Sequence, residues 1–114
     1  MATITPTRGT LAVNIESLTW TNLSTADTAD GLLVSGNSPA IGCMQVTGTF
    51  GGATITLQGS NDGTNYAAVT DAAGNSITLS AAGLKDFSTA AAYLRPSSSG
   101  GTGDDVTVVV VLRN

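Results

Sequence analysis

Apolar residues in this chain recur mostly with a period of two. Ile55 and Leu57 alternate with Thr54, Thr56 and Gln58 across residues 53–59, the signature of a strand with one face on a core and the other toward solvent. The pattern breaks at Ser60-Asn61-Asp62-Gly63-Thr64-Asn65. There Asn and Asp side chains bond readily to nearby backbone and a glycine is free to take positive φ, so Asn61, Asp62 and Gly63 are predicted to form a structural turn. A shorter strand restarts at Tyr66, and the stretch Phe50 to Tyr66 reads as the hairpin to which the other strands are added. Upstream, an apolar run from Ala40 passes into alternation of Met44, Val46, Gly48 and Phe50 with Gln45, Thr47 and Thr49. This predicts a long strand, joined to the next by Gly51-Gly52 as a two-residue hairpin turn.

The rest of the chain carries weaker versions of the same signal. Leu11, Val13 and Ile15 alternate, and Leu18-Thr19-Trp20 resumes on a face shifted at Ser17, which predicts one strand with a bulge or bend. Residues 1–10, MATITPTRGT, read as an extended arm or edge strand, so Thr3, Ile4, Thr5 and Arg8 are candidates for contact with a neighbouring molecule. Asn22 to Gly31 reads as a loop or a single helical turn, and Leu32 to Val34 as a short strand closed by Ser35 to Pro39. After Tyr66 to Thr70 and a loop at Asp71 to Asn75, Ile77 and Leu79 share one strand face.

Ala81 to Ala92 has some helical propensity, interrupted by Gly83, and Leu84 to Phe87 reads as a short strand or turn. Proline disfavours helix at the residue before it, so Tyr93 to Pro96 is extended, and Arg95 and Pro96 are candidate contact residues at an edge. Ser97 to Gly103 reads as a flexible loop. The near-continuous valine run from Val106 to Arg113 predicts a central strand covered on both faces. About eight short strands with little or no helix make an all-β fold: a single-domain antiparallel β-sandwich, jelly-roll-like, over residues 11–114, preceded by an arm over residues 1–10.

Composition narrows what such a sandwich can do. With 114 residues the chain supports one core, and with 4% aromatic residues that core is built mostly from Val, Ile, Leu and Ala. Trp20 is then a core or interface anchor, or a platform for a stacked ligand. Charged residues are 11% of the chain, against about 25% in typical domains, which leaves a surface of hydroxyls, amides and small side chains suited to packing against other subunits. The net charge is -4, and the four basic residues Arg8, Lys85, Arg95 and Arg113 are scattered singly. Nucleic acid is therefore not an expected partner. Cys43, the single cysteine, lies in an apolar run and reads as a small buried hydrophobe. The first residues lack a basic, apolar leader and no run has membrane-spanning length, so synthesis in a cytoplasm without membrane insertion is expected.

Candidate chemistry is sparse. There is no histidine to pair with a serine or cysteine nucleophile, and one cysteine without histidine cannot make a tetrahedral zinc site. Asn61-Asp62-Gly63 and Asp104-Asp105 are oxygen-rich but lack calcium-loop spacing. A calcium ion bridging two loops is one reading; the other is that Asp62 caps a turn and the Asp104-Asp105 pair solvates a loop end. Consecutive strand residues face opposite ways, so Asp104 and Asp105 are badly placed to act together as acid and base. No enzyme and no cofactor is expected.

Two resemblances add to this. Gly59-Ser60-Asn61-Asp62-Gly63-Thr64-Asn65-Tyr66 resembles the S-x-D-G-x-x-W turn of discoidin-like and carbohydrate-binding jelly rolls, with Tyr66 in place of the aromatic that packs under the turn. More extensively, TGTFGGATITLQGSNDGTNY at 47–66, DAAGN at 71–75, YLRP at 93–96 and GGTGDDVTVVVVL at 100–112 resemble small virion proteins of tailed bacteriophages. That second resemblance implies a head decoration, or cement, protein or another minor structural role, usually as an oligomer on the capsid surface. With the low charge and small-residue surface, the expectation is a homo-oligomer, with a trimer favoured, made in the host cytoplasm and bound to the major capsid protein. A carbohydrate-binding virion module, with Trp20, Tyr66 or Tyr93 stacking on a glycan, is the alternative, and a tail or baseplate adaptor of the same fold is a further one.

Overall fold

A computed structural model describes residues 3–12, 15–34 and 40–113. Val13, the middle of the first alternation, and the turn expected at Ser35 to Pro39 lie outside the described residues. The strands are β1 (Thr3–Ile4), β2 (Thr7–Ala12), β3 (Ile15–Leu23), β4 (Thr28–Ala29), β5 (Leu32–Leu33) and β6 (Ala40–Thr49). They continue as β7 (Thr54–Ser60), β8 (Ala67–Ala68), β9 (Thr78–Leu79), β10 (Gly83–Thr89), β11 (Tyr93–Ser99) and β12 (Asp105–Arg113), and no helix is present among the described residues.

Eight of these strands pair as a nested set. β3 pairs with β12, β5 with β11, β6 with β10 and β7 with β8, all antiparallel. This is a long hairpin rolled up on itself, and the rolling distributes it over two sheets ordered β10-β6-β12-β3-β2 and β5-β11-β7-β8, with β9 added beside β7. The result is an antiparallel jelly-roll β-sandwich, as the strand count and spacing predict. Residues 3–12 pack onto this body: β1 lies parallel to β4, and β2 is the edge strand beside β3.

The period-two pattern explains the core. Leu18 and Trp20 on β3, Met44 and Val46 on β6, Ile55 and Leu57 on β7, Leu94 on β11 and Val106, Val108 and Val110 on β12 lie essentially out of contact with water between the sheets. Trp20 is at the centre and its indole Nε1 donates to the Asp30 carbonyl at 2.8 Å, so its one polar atom is satisfied.

Several expectations are corrected. Leu11 and Ile15 do not belong to one bent strand: Ala12 pairs with Ile15, and β2 and β3 are antiparallel neighbours. The irregularity of β3 sits not at Ser17 but opposite Val106–Val108, where Asn22 takes φ 57°. Gly51-Gly52 forms a tight turn, with φ 56° and 85° and the Ala53 amide on the Phe50 carbonyl at 2.8 Å. It joins β6 of one sheet to β7 of the other, however, so no hairpin forms there. The stretch Gly83–Thr89 is a full edge strand with no helical turn, held by seven register pairs with β6. Serines 97–99 belong to β11 and are not loop. The valine strand β12 is central, but only one of its faces is fully covered: Val109 and Val111 are half-buried on the outside of the sheet. Cys43 points the same way and is half-buried, because its neighbours Gly42 and Met44 take the inward positions.

Candidate functional site

Two polar clusters among the described residues lie at opposite ends of the paired strands β7 and β11, and each sheet adds an outer face. The first cluster is the turn after β7. The Asp62 carboxylate accepts the amides of Asn65 and Thr64, each at 2.8 Å, the Asn65 side-chain amide at 2.9 Å and the Ser60 hydroxyl at 2.8 Å. These donors hold the Asp62 carboxyl far below the usual carboxylate range. All four of these bonds serve the turn, so Asp62 is an architectural residue. Gly63 takes φ 75°, and the ring of Tyr93 lies against it. Asn61 caps the following segment by accepting the Ala92 amide at 3.2 Å.

The turn delivers Tyr66 to the outer face of the β7–β11 sheet. Arg95, directly opposite Gln58 in the register, donates from Nε to Gln58 Oε1 at 2.9 Å. Its guanidinium carbon stands 3.9 Å from the centroid of the Tyr66 ring. Burial pushes the Tyr66 hydroxyl up, and the Arg95 charge partly opposes it.

The second cluster lies at the other end, near the Thr54–Ser99 register pair. Asp104 is only 6% exposed, which corrects the expectation that it solvates a loop end; Asp105 is exposed and is the first residue of β12. Asp104 Oδ2 accepts the Ser98 hydroxyl at 2.7 Å, the Thr25 amide at 2.8 Å and the Thr25 hydroxyl at 3.1 Å. Thr25 Oγ1 in turn accepts the Gly101 amide at 2.9 Å. Burial pushes the Asp104 carboxyl up, but the bonds from Ser98 and Thr25 outweigh it and leave it below its ordinary value. The cluster ties three segments together and leaves no free nucleophile or base. Among the described residues no group of three or more His, Cys, Asp or Glu side chains converges as a metal site, and Asp62 and Asp104 are too far apart along β7 to share an ion.

The outer face of the other sheet carries several exposed or half-buried apolar side chains. In-register neighbours share a face, so Ile15, Arg113 and Ile41 form one row, Ser17, Val111, Cys43 and Asp86 the next, and Thr19, Val109, Gln45 and Leu84 a third. Ile41 is 61% and Leu84 63% exposed. Ile41, Cys43, Val111, Asp86 and Arg113 line a shallow groove of about 420 Å³ with Gly42 at its floor. Burial, and then the carboxylate of Asp86 beside it, raise the Cys43 thiol above its ordinary value.

The residues singled out from sequence are spread over the molecule. Thr3 and Thr5 are exposed beside the half-buried Ile4, whose side chain packs against the core. Arg8 reaches across the sandwich edge to the Leu33 carbonyl and pairs with Glu16 at 3.6 Å. Trp20 and Pro96 are buried within the chain and offer no surface to a partner or a sugar. Of this set only Arg95 takes part in an outward-facing polar cluster. The outer face of the valine strand and the Arg95–Tyr66 contact were not legible in sequence, since both depend on register between strands far apart in the chain. No family model matches the chain, and no curated protein matches it.

Proposed function

We propose that this chain is a non-enzymatic surface module of a bacteriophage particle, a capsid decoration protein that clamps neighbouring major-capsid subunits. The observation that carries the reading is the outer face of the β10-β6-β12-β3-β2 sheet. Ile15, Ile41, Val109, Val111 and Leu84 stand there among threonines and serines, with two acids, Asp86 and Asp105, and one base, Arg113. Such a face favours burial against a protein surface, because its apolar side chains gain by leaving water while few charges need desolvation. The low overall charge and the extended resemblance to phage virion proteins support the same reading. Homo-oligomers, trimers in particular, would multiply each weak contact on the capsid lattice.

The experiment is sedimentation with purified capsids that lack the protein. The wild-type chain is expected to pellet with heads, and a double variant Ile41→Glu/Leu84→Glu is expected to stay folded and remain in the supernatant. Both positions are more than half exposed, so their replacement costs the fold little. Equal pelleting of wild type and variant defeats the role of this face. Failure of the wild type to pellet defeats the decoration reading, and pelleting with tails instead of heads assigns an adaptor.

A further inference from the structure

We propose that Arg95 and the hydroxyl-bearing face around it form a binding site for the carboxylate of an acidic sugar. This goes beyond the assembly reading and uses the opposite sheet, so either can fail without the other.

The guanidinium is organised in advance. Its Nε is fixed on Gln58 at 2.9 Å and its plane is supported by Tyr66 at 3.9 Å. Tyr66 is held in turn: its hydroxyl packs so closely on Gly31 that a Cβ there would lie 1.8 Å away. Among the described residues the ion pair of an arginine is that of Arg8 with Glu16, and no carboxylate pairs with Arg95. Its Nε is the nitrogen engaged by Gln58, which leaves the Nη donors of the fork to match a carboxylate.

The surroundings choose the ligand. Alternate residues of a strand share a face, and so do in-register neighbours, which places Ser97, Thr56 and Thr78 in one row beside Arg95 and Gln58. One cation among hydroxyls matches a molecule with one acid group among hydroxyls, as in a uronic or sialic acid. A phosphate dianion is disfavoured by the net charge of -4 and by Asp30 and Asp62, which act on Tyr66 from nearby. An acidic peptide brings repeated like charge and no hydroxyls to match the row.

The test is titration of the full chain followed by two-dimensional NMR of backbone amides and the Arg95 Nε–H group, with glucuronate and N-acetylneuraminate as the two sugar-acid probes. Glucose, acetate and a tetraglutamate peptide are the comparisons. Saturable shifts are expected at Arg95, Thr56, Thr78 and Ser97 with at least one sugar acid, in the millimolar range of a small single site. Arg95→Lys keeps the charge but loses the fork and the stacking, and is expected to weaken binding by about tenfold. Ser97→Val is a second variant on the outer face, expected to weaken binding to a lesser degree. Absence of shifts with both sugar acids overturns the proposal. So does equal binding of glucose or acetate, tighter binding of tetraglutamate, or undiminished binding by both variants.

Discussion

The hydroxyl of Ser98 donates to the carboxylate of Asp104 at 2.7 Å across the end of the sandwich. Thr25 adds its amide and hydroxyl to the same oxygen, so one acceptor closes the β3–β4 loop, β11 and the entry to β12 upon each other. Removing the acceptor strands donors in a sheltered place. Asp104→Ala is therefore expected to destabilise the protein by about 1–3 kcal/mol, and Asp104→Asn, which keeps one acceptor oxygen, by less. Urea unfolding followed by Trp20 fluorescence measures both; equal stability of Asp104→Ala and wild type would contradict the network.

Hydrogen-bonded carboxylates set the acid limit of stability. Asp104, Asp62 and Asp71, the last accepting the Ala73 and Asn75 amides at 2.9 Å, all have native values below the ordinary 3.8. The unfolded chain then binds protons more readily than the native one, so the contribution of these groups is complete above pH 3.8 and is lost as pH falls through the depressed native values. Melting temperature is expected to hold from about pH 7 to about pH 5 and to fall steeply toward about pH 2, with a shallower fall in Asp104→Asn. A wild-type melting temperature independent of pH over this range would refute the assignment.

Legibility in the sequence followed the distance between partners. The alternation of β7 and the valine run of β12 declare strands because the pattern is local, and the turn at Asp62 is complete within Ser60 to Asn65. Which strand lies beside which is not local. The chain from Leu11 to Trp20 alternates equally well as one bent strand or two antiparallel ones, and only packing on β12 selects the second. Asp104 looks like a solvated loop residue until Thr25, 79 positions away, is brought against it. Cys43 sits in an apolar run, but the period of two assigns the inward places to Gly42 and Met44.

Two glycines with similar backbone but different surroundings separate strain from contact. Gly63 and Gly74 take φ 75° and 86°. A Cβ on Gly63 would lie 3.2 Å from the Tyr93 ring, whereas one on Gly74 meets nothing within 4 Å. Both alanine substitutions are expected to cost about 1 kcal/mol from backbone strain, and Gly63→Ala to cost visibly more than Gly74→Ala. Paired chemical denaturation curves give the difference, and an equal loss at the two positions would show that Tyr93 does not press on the turn.

Residues 3–12 pair with the folded body through β1 and β2. Deleting residues 1–9 removes β1, half of the edge strand β2, the bond from the Asp30 amide to the Ile4 carbonyl and both contacts of Arg8. It also bares the backbone of β3 as a new edge. The truncated chain is expected to melt at a lower temperature and to associate on heating, because an unprotected edge templates further pairing. Thermal melts with light scattering test this, and a truncated chain as stable as the parent would mean that these residues contribute no net stability.

Cys43 reports on the face proposed for assembly. Its thiol is half-buried between β10 and β12 and donates to the Asp86 carboxylate, and burial together with that negative neighbour raises it above its ordinary value of 9.0. Less thiolate is then present at neutral pH than in a free cysteine, and alkylation by iodoacetamide is expected to be correspondingly slow. Asp86→Asn removes the negative charge and should speed the reaction, and binding of a capsid or of further copies over this face should slow it. Reaction of the free wild-type chain at the rate of a small-molecule thiol would contradict the local electrostatics. An unchanged rate for capsid-bound protein would place the contact on another face.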